Sequence, residues 1–193
     1  MQLPVYLIGY MASGKSTVGR LLADKLGWQF VDLDEAFLQI HGMSTGDYIR
    51  TYGLEDFRRK EKYVLEDLAD AETTDKIIYA TGGGYPTYED NMDCLRELGT
   101  SFYLRWSPEH LTDRLFLSGL ENRPVAQEGM EKETGADERE RMLNFVTKQL
   151  AEREPFYAKA NHILDAPLED EYGPQNDEEL ADELELFIRN YLE

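Results

Sequence analysis

The sequence predicts an α/β protein: a parallel sheet covered by helices on both faces, three layers in all. Three observations predict it. Five short apolar runs are separated by longer segments whose apolar residues recur three and four apart. The two patterns alternate along the chain, as parallel strand–helix–strand units require. A glycine-bearing loop joins the first run directly to the first helical segment. The 193 residues make one domain at ~150 residues per domain. A domain of that size buries roughly 70% of its unfolded surface and needs no disulfide or metal staple.

The elements follow in order. Val5 to Ile8 is the first strand, and Val18, Leu21, Leu22 and Leu26 form the apolar stripe of the helix behind it. Gln29 to Leu33 is the second strand, and Phe57, Val64, Leu65 and Leu68 mark a later helix. Lys76 to Ala80 and Ser101 to Trp106 are the third and fourth strands. Leu111 and Leu115, then Met142, Phe145, Val146 and Leu150, continue the helical spacing up to a last strand at His162 to Leu164. Gln127 to Arg141 is nearly devoid of large apolar side chains and carries two glycines, so it reads as a mobile surface loop running into a helix start. Asp165 to Glu193 holds 11 acidic residues and one basic one, yet Leu180, Leu184, Phe187, Ile188 and Tyr191 recur at helical spacing. A docked terminal helix with a solvated acidic face accounts for both facts.

Composition excludes several functions. Twenty Lys and Arg stand against 39 Asp and Glu, a net charge of −19. Nonspecific binding to nucleic acid or to an anionic membrane needs a cationic face, so neither is expected. Cys94 is the single cysteine, which rules out an intramolecular disulfide and a multi-cysteine zinc site. His41, His110 and His162 lie too far apart for ligand spacing. No run approaches ~18 apolar residues and no targeting segment is visible, so a cytoplasmic protein is expected.

Gly9 to Ser16 reads G-Y-M-A-S-G-K-S and matches G-x-x-x-x-G-K-[S/T] between a strand and a helix, the context this motif requires. Gly9 and Gly14 allow the loop amides of Ala12, Ser13, Gly14, Lys15, Ser16 and Thr17 to converge on phosphate oxygens at a helix N-terminus. Lys15 adds a point charge, and the Ser16 hydroxyl is placed for Mg2+. No guanine-specifying Asn/Thr-Lys-x-Asp is present, so ATP is the expected nucleotide.

Further residues point to an acceptor. The second strand ends V-D-L-D; in an extended chain Asp32 and Asp34 point the same way, toward the crevice at the strand's carboxyl end. One such carboxylate can hold a metal through water and the other can receive a hydroxyl proton. The competing reading makes Asp34 the N-cap of a helix from Glu35 to Ile40. In G-L-E-D-F-R-R-K-E, Arg58 and Glu61 are three apart and can pair on a helix, which fixes the guanidinium as a carboxylate receptor. Ala80-Thr81-Gly82-Gly83-Gly84 places three glycines at a strand end, where backbone approaches a ligand closely or turns tightly. Arg123, before Pro124, suits a closing lid that brings positive charge to a transferring phosphate. Arg153 lies in R-E-P-F-Y-A-K-A, where Pro155 allows a break and a new helix start.

In this order the segments resemble the shikimate kinase family, over roughly Leu3 to Ile163. The resemblance rests on GYMASGKS, D-L-D, F-R-R-K-E, A-T-G-G-G, the Arg123-Pro124 lid and R-E-P-F-Y. It implies a P-loop kinase fold with a five-stranded parallel sheet of order 2-3-1-4-5, a substrate-binding helical subdomain at about 34–62, a lid at about 117–138 and an acidic terminal helix at about 176–192. It implies ATP-dependent phosphorylation of shikimate to 3-phosphoshikimate, in aromatic amino acid biosynthesis, by a monomer. Lys15 and the loop amides would hold ATP phosphates, Ser16 would ligate Mg2+ with Asp32 in its water shell, and Arg114 would lie near the adenine. Asp34 would bind ring hydroxyls and serve as the base, with Asp32 its rival. Arg58 and Arg153 would clamp the carboxylate, Gly82, Gly83 and Gly84 would present backbone to the substrate, and Arg123 would neutralise the transferred phosphoryl group.

The sequence departs from the family pattern at Leu54, where glutamate is usual after the glycine, and at Val125-Ala126, where leucines are usual. Its lid-to-helix stretch is longer and more acidic. Two other functions compete: a related small-molecule kinase such as a gluconate kinase, and a nucleotide-binding module without turnover. The first has less need of paired Arg58 and Arg153. The second has no use for Asp34, Arg58 and Arg153 together.

Overall fold

The computed structural model describes residues 1–71, 75–121, 123–165 and 176–192. Five strands, β1 (Val5–Ile8), β2 (Gln29–Asp32), β3 (Ile77–Ala80), β4 (Thr100–Arg105) and β5 (His162–Asp165), form one parallel sheet in the order β2-β3-β1-β4-β5. The inner strands β1 and β3 are wholly buried, which is why their sequences VYLI and IIYA read as unbroken apolar runs. The edge strand β5 alternates between half-buried and exposed residues.

Side-chain alternation along β4 shows the three layers. Phe102 meets Phe187 of α9 (Asp177–Leu192), whereas its neighbour Tyr103 meets Tyr157 of α8 (Glu138–Tyr157). Adjacent strand residues point to opposite faces, so the sheet lies between these helices. Helix α1 (Lys15–Leu26) packs on α9, and α6 (Pro108–Ser118) packs on α8. Leu180, Ala181, Leu184 and Ile188 of α9 are buried. The acidic tail therefore docks through its apolar stripe from Asp177 onward; its residues 166–175 lie outside the described residues.

Between β2 and β3 stand α2 (Leu33–His41), α3 (Thr45–Tyr52) and α4 (Leu54–Ala71). Their junction is aromatic: Phe37 of α2 lies 5.0 Å from Tyr48 of α3 and 5.1 Å from Phe57 of α4, ring centre to ring centre. After β3 come a short 3-10 turn (Tyr85–Thr87) and α5 (Asn91–Leu98).

Three local expectations are corrected. The chain is not extended through V-D-L-D: β2 ends at Asp32, whose carboxylate accepts the amides of Asp34 and Glu35 at 2.9 and 3.4 Å and caps α2. Asp34 thus sits in the first helical turn, and the cap is Asp32 rather than Asp34. Residues 127–131 are not loop but the second half of α7 (Pro124–Glu131). Ala126 is buried there, and Gly129 lies so close to Phe145 of α8 that a Cβ would overlap the ring. A polar sequence with one glycine can be helical when the glycine is the contact. Finally, Pro155 does not break α8, which runs on to Tyr157. The proline falls in the last turn, where few backbone bonds remain to be lost.

Candidate active site

The phosphate loop emerges from β1 and turns into α1 at Gly14, whose φ of 88° lies in the left-handed region. A Cβ there would also overlap the Asp177 carboxylate, so both conformation and space require glycine. Lys15 folds back over the loop. Its Nζ donates to the carbonyls of Gly9 and Tyr10 at 3.0 and 2.7 Å and to Ser13 Oγ at 3.2 Å. Burial draws the Lys15 ammonium down to about 8, although Asp34 and Asp32 act to raise it. Ser13 is wholly buried, and its carbonyl accepts the Trp106 indole N–H at 3.0 Å.

A cleft of about 540 Å³ opens over this loop, walled by Ala12, Gly14, Lys15, Ser16, Thr17, Asp32, Asp34, Arg114 and Arg123 among others. A second pocket of about 150 Å³ adjoins it, with Asp34, Arg58, Glu61, Gly82, Gly83, Gly84, Arg123 and Arg153 on its walls. Every site residue expected from sequence borders one cavity or both, except Ser13, which supports the loop from behind. Asp34 and Arg123 border both.

The glycine run has a physical reason that sequence alone did not supply. A Cβ on Gly82 would overlap Glu61 Oε1, and one on Gly84 would overlap the Arg58 guanidinium. On Gly83 it would press within 3.1 Å of the Met11 amide nitrogen in the phosphate loop. The three glycines let the backbone lie flat on the Arg58–Glu61 pair and on the loop at once. The Tyr157 hydroxyl donates to the Gly83 carbonyl and ties the run to α8.

Charge is unevenly satisfied here. Arg58 donates to Glu61 Oε2, while Glu61 Oε1 is buried with no hydrogen-bond partner among the described residues. Burial pushes the Glu61 carboxyl up to about 7, against the pull of Arg58. Asp34 opens to the cleft, yet the protein packed around it and the neighbouring Asp32 raise its carboxyl, opposed by Lys15, Arg58 and Arg123. Arg123 donates to Ser118 Oγ at 2.9 Å and to the Gly119 carbonyl at 2.6 Å. No carboxylate of the described residues pairs with it.

Arg114 has a partner that sequence reading missed. Both terminal guanidinium nitrogens bond to Asp177, at 2.8 and 2.7 Å, and the group lies 5.5 Å from the Trp106 ring centre. The first residue of the acidic terminal helix therefore holds an arginine that lines the cleft. The two residues are 63 positions apart, so no spacing rule could have joined them.

A strand–loop–helix phosphate cradle, beside a small pocket lined with arginines and one shared carboxylate, defines a P-loop kinase of small molecules. Comparison with known proteins specifies it further: the family model described as shikimate kinase matches residues 11–187. The chain belongs to the shikimate kinase family, enzymes that phosphorylate shikimate with ATP as donor. It is 36% identical to a shikimate kinase of Parabacteroides distasonis over 162 residues, 84% of this chain and 87% of that one. It is 38% identical to one of Symbiobacterium thermophilum over 159 residues, 82% and 83% of the two chains. The crystal structure of shikimate kinase from Bacteroides thetaiotaomicron superposes with a TM-score of 0.79 at 29% identity, covering 98% of this chain and 99% of that one. The shikimate kinase of Acinetobacter baumannii in complex with shikimate superposes at 0.77 and 27% identity, covering 100% and 97%.

Proposed function

We propose that this chain transfers the γ-phosphoryl group of ATP to a hydroxyl of shikimate across the junction of the two cavities. One observation carries this reading. Asp34 and Arg123 border both the phosphate-loop cleft and the arginine-lined pocket, so a base and a cation stand where donor and acceptor meet. In the cleft, Lys15 and the amides of Ala12 to Thr17 hold the phosphates, and Arg114 borders the adenine. In the pocket, Arg58 and Arg153 receive the carboxylate, and the Gly82–Gly84 backbone closes one wall. Helices α2 to α4 form an acceptor-binding subdomain at about 34–62, and the segment at about 117–138, with Arg123, acts as the lid.

In the transfer, the acceptor oxygen bonds to the γ-phosphorus as the bridging bond to the β-phosphate breaks. The hydroxyl proton passes to Asp34, and ADP leaves with the bond's electron pair. Lys15 and Arg123 offset the charge that develops on the transferring group. Ser16, open to the cleft in the first turn of α1, and Asp32, at the end of β2, present hard oxygen donors fit for Mg2+. Among the described residues no three metal-binding side chains cluster. Bound there, Mg2+ would neutralise phosphate charge. Among the described residues no helix is long and apolar enough to cross a membrane.

Replacing Asp34 with asparagine tests the assignment. Shikimate-dependent ADP release should fall roughly 10²- to 10⁴-fold in kcat, with nucleotide binding, followed by intrinsic tryptophan fluorescence, within about threefold of the parent. A kcat within tenfold of the parent would move the role of base to Asp32.

A further inference from the structure

The two arginines of the acceptor pocket are held in different ways. Arg58 is fixed by a carboxylate, Glu61. No carboxylate of the described residues lies within ion-pair contact of Arg153. An unheld arginine loses much of its rotamer freedom when it grips a ligand, which weakens the grip. Arg153 instead contacts the Tyr157 hydroxyl through a side-chain hydrogen bond and stands over an aromatic face: its guanidinium carbon is 5.3 Å from the ring centre of Tyr10. That is within cation–π range.

Tyr10 is the second residue of the phosphate loop and is 1% exposed. Its hydroxyl donates to Gln149 Oε1 on α8 at 2.9 Å, which fixes the ring. Its carbonyl accepts the Lys15 ammonium at 2.7 Å, which fixes the backbone. One residue thus has its main chain in the nucleotide site and its side chain beneath an acceptor arginine. Nothing about the phosphate-loop motif requires this, because the motif leaves that position open.

We propose that Tyr10 is a positioning residue for the acceptor: its ring holds Arg153 in the orientation that receives the carboxylate of shikimate. The inference rests on the reading of Arg153 as a carboxylate clamp. Because the ring belongs to the phosphate loop, the same residue joins the donor site to the acceptor clamp.

A double-mutant cycle on shikimate KM tests it, using Tyr10→Leu, Arg153→Ala and the pair. Tyr10→Leu should raise KM for shikimate roughly tenfold, with KM for ATP within about twofold, because it acts through the acceptor arginine. Tyr10→Phe keeps the ring and should restore KM to within about threefold of the parent. In the Arg153→Ala background Tyr10→Leu should add nothing. An equal factor in both backgrounds would overturn the positioning role while leaving the clamp intact. If Arg153→Ala leaves KM for shikimate unchanged, the clamp reading falls and this inference falls with it. Should Tyr10→Leu not fold, phenylalanines bearing one, two and three ring fluorines at position 10 keep the shape and weaken the ring's attraction for a cation. KM should then rise stepwise with fluorine count, and a flat series would overturn the proposal.

Discussion

Lys15→Ala is expected to lower kcat for shikimate-dependent ADP release by roughly 10² to 10³, the cost of deleting one well-placed donor to developing charge. The loop around Lys15 explains why no neighbour can substitute. The ammonium bonds to Gly9, Tyr10 and Ser13 at once and so braces the loop as well as facing the cleft. Its desolvation brings a second consequence. With Lys15 near 8, the ammonium is fully charged at pH 6 and half neutralised two units later. The neutral amine holds phosphate poorly, so nucleotide affinity of the free enzyme should weaken as pH rises through about 8. Lys15→Ala should abolish that alkaline limb. Titration of intrinsic tryptophan fluorescence with ATP from pH 6 to 9.5 measures it, and an unchanged limb in the variant would assign the pH dependence elsewhere.

Arg58→Ala is expected to weaken shikimate by ~2 to 5 kcal/mol while leaving ATP affinity near that of the parent. Two costs combine. The acceptor carboxylate loses a fixed guanidinium, and Glu61 loses its hydrogen-bonding partner among the described residues in a site where it is 2% exposed. Glu61 already carries a carboxyl pushed up to about 7 by burial, so without Arg58 it takes up a proton rather than remain a buried anion. Arg58→Lys should rescue little, because an ammonium cannot bond to Glu61 and the acceptor with the planar geometry the Gly84 backbone accommodates. The shikimate KM of both variants decides the point; a value unchanged in Arg58→Ala would remove Arg58 from the clamp.

Much of the fold could be read from the residues because its inner strands are buried on both faces and its helices on one. Periods of that kind survive in a single sequence, as VYLI and the stripe of Val18 and Leu22 show. Boundaries set by one hydrogen bond were harder. Asp32 and Asp34 look equivalent in D-L-D, but once the Asp32 carboxylate accepts the Asp34 amide the chain leaves the strand. The polar segment after Arg123 hid a helix because its packing depends on Gly129 fitting under Phe145, a contact that no apolar period reveals.

The site divided in the same way. Residues recruited by local spacing, such as Arg58 with Glu61, were found as a pair. Partners recruited by topology were not. Asp177 reaches Arg114 only because α9 lies beside α1 and brings its first residue against Gly14. Trp106 supports Ser13 across 93 positions. The glycine run looked like a ligand-facing backbone, and in the structure its flanking members accommodate protein side chains, Glu61 and Arg58.

The arginine-lined pocket is expected to select shikimate as the acceptor. The most direct test is the initial rate of ADP release by the purified protein with Mg-ATP, measured alone, with shikimate and with gluconate. Release should be slow alone and with gluconate, and should rise in a saturable way with shikimate. Stimulation by gluconate but not by shikimate, or by neither while ATP still binds, would contradict it.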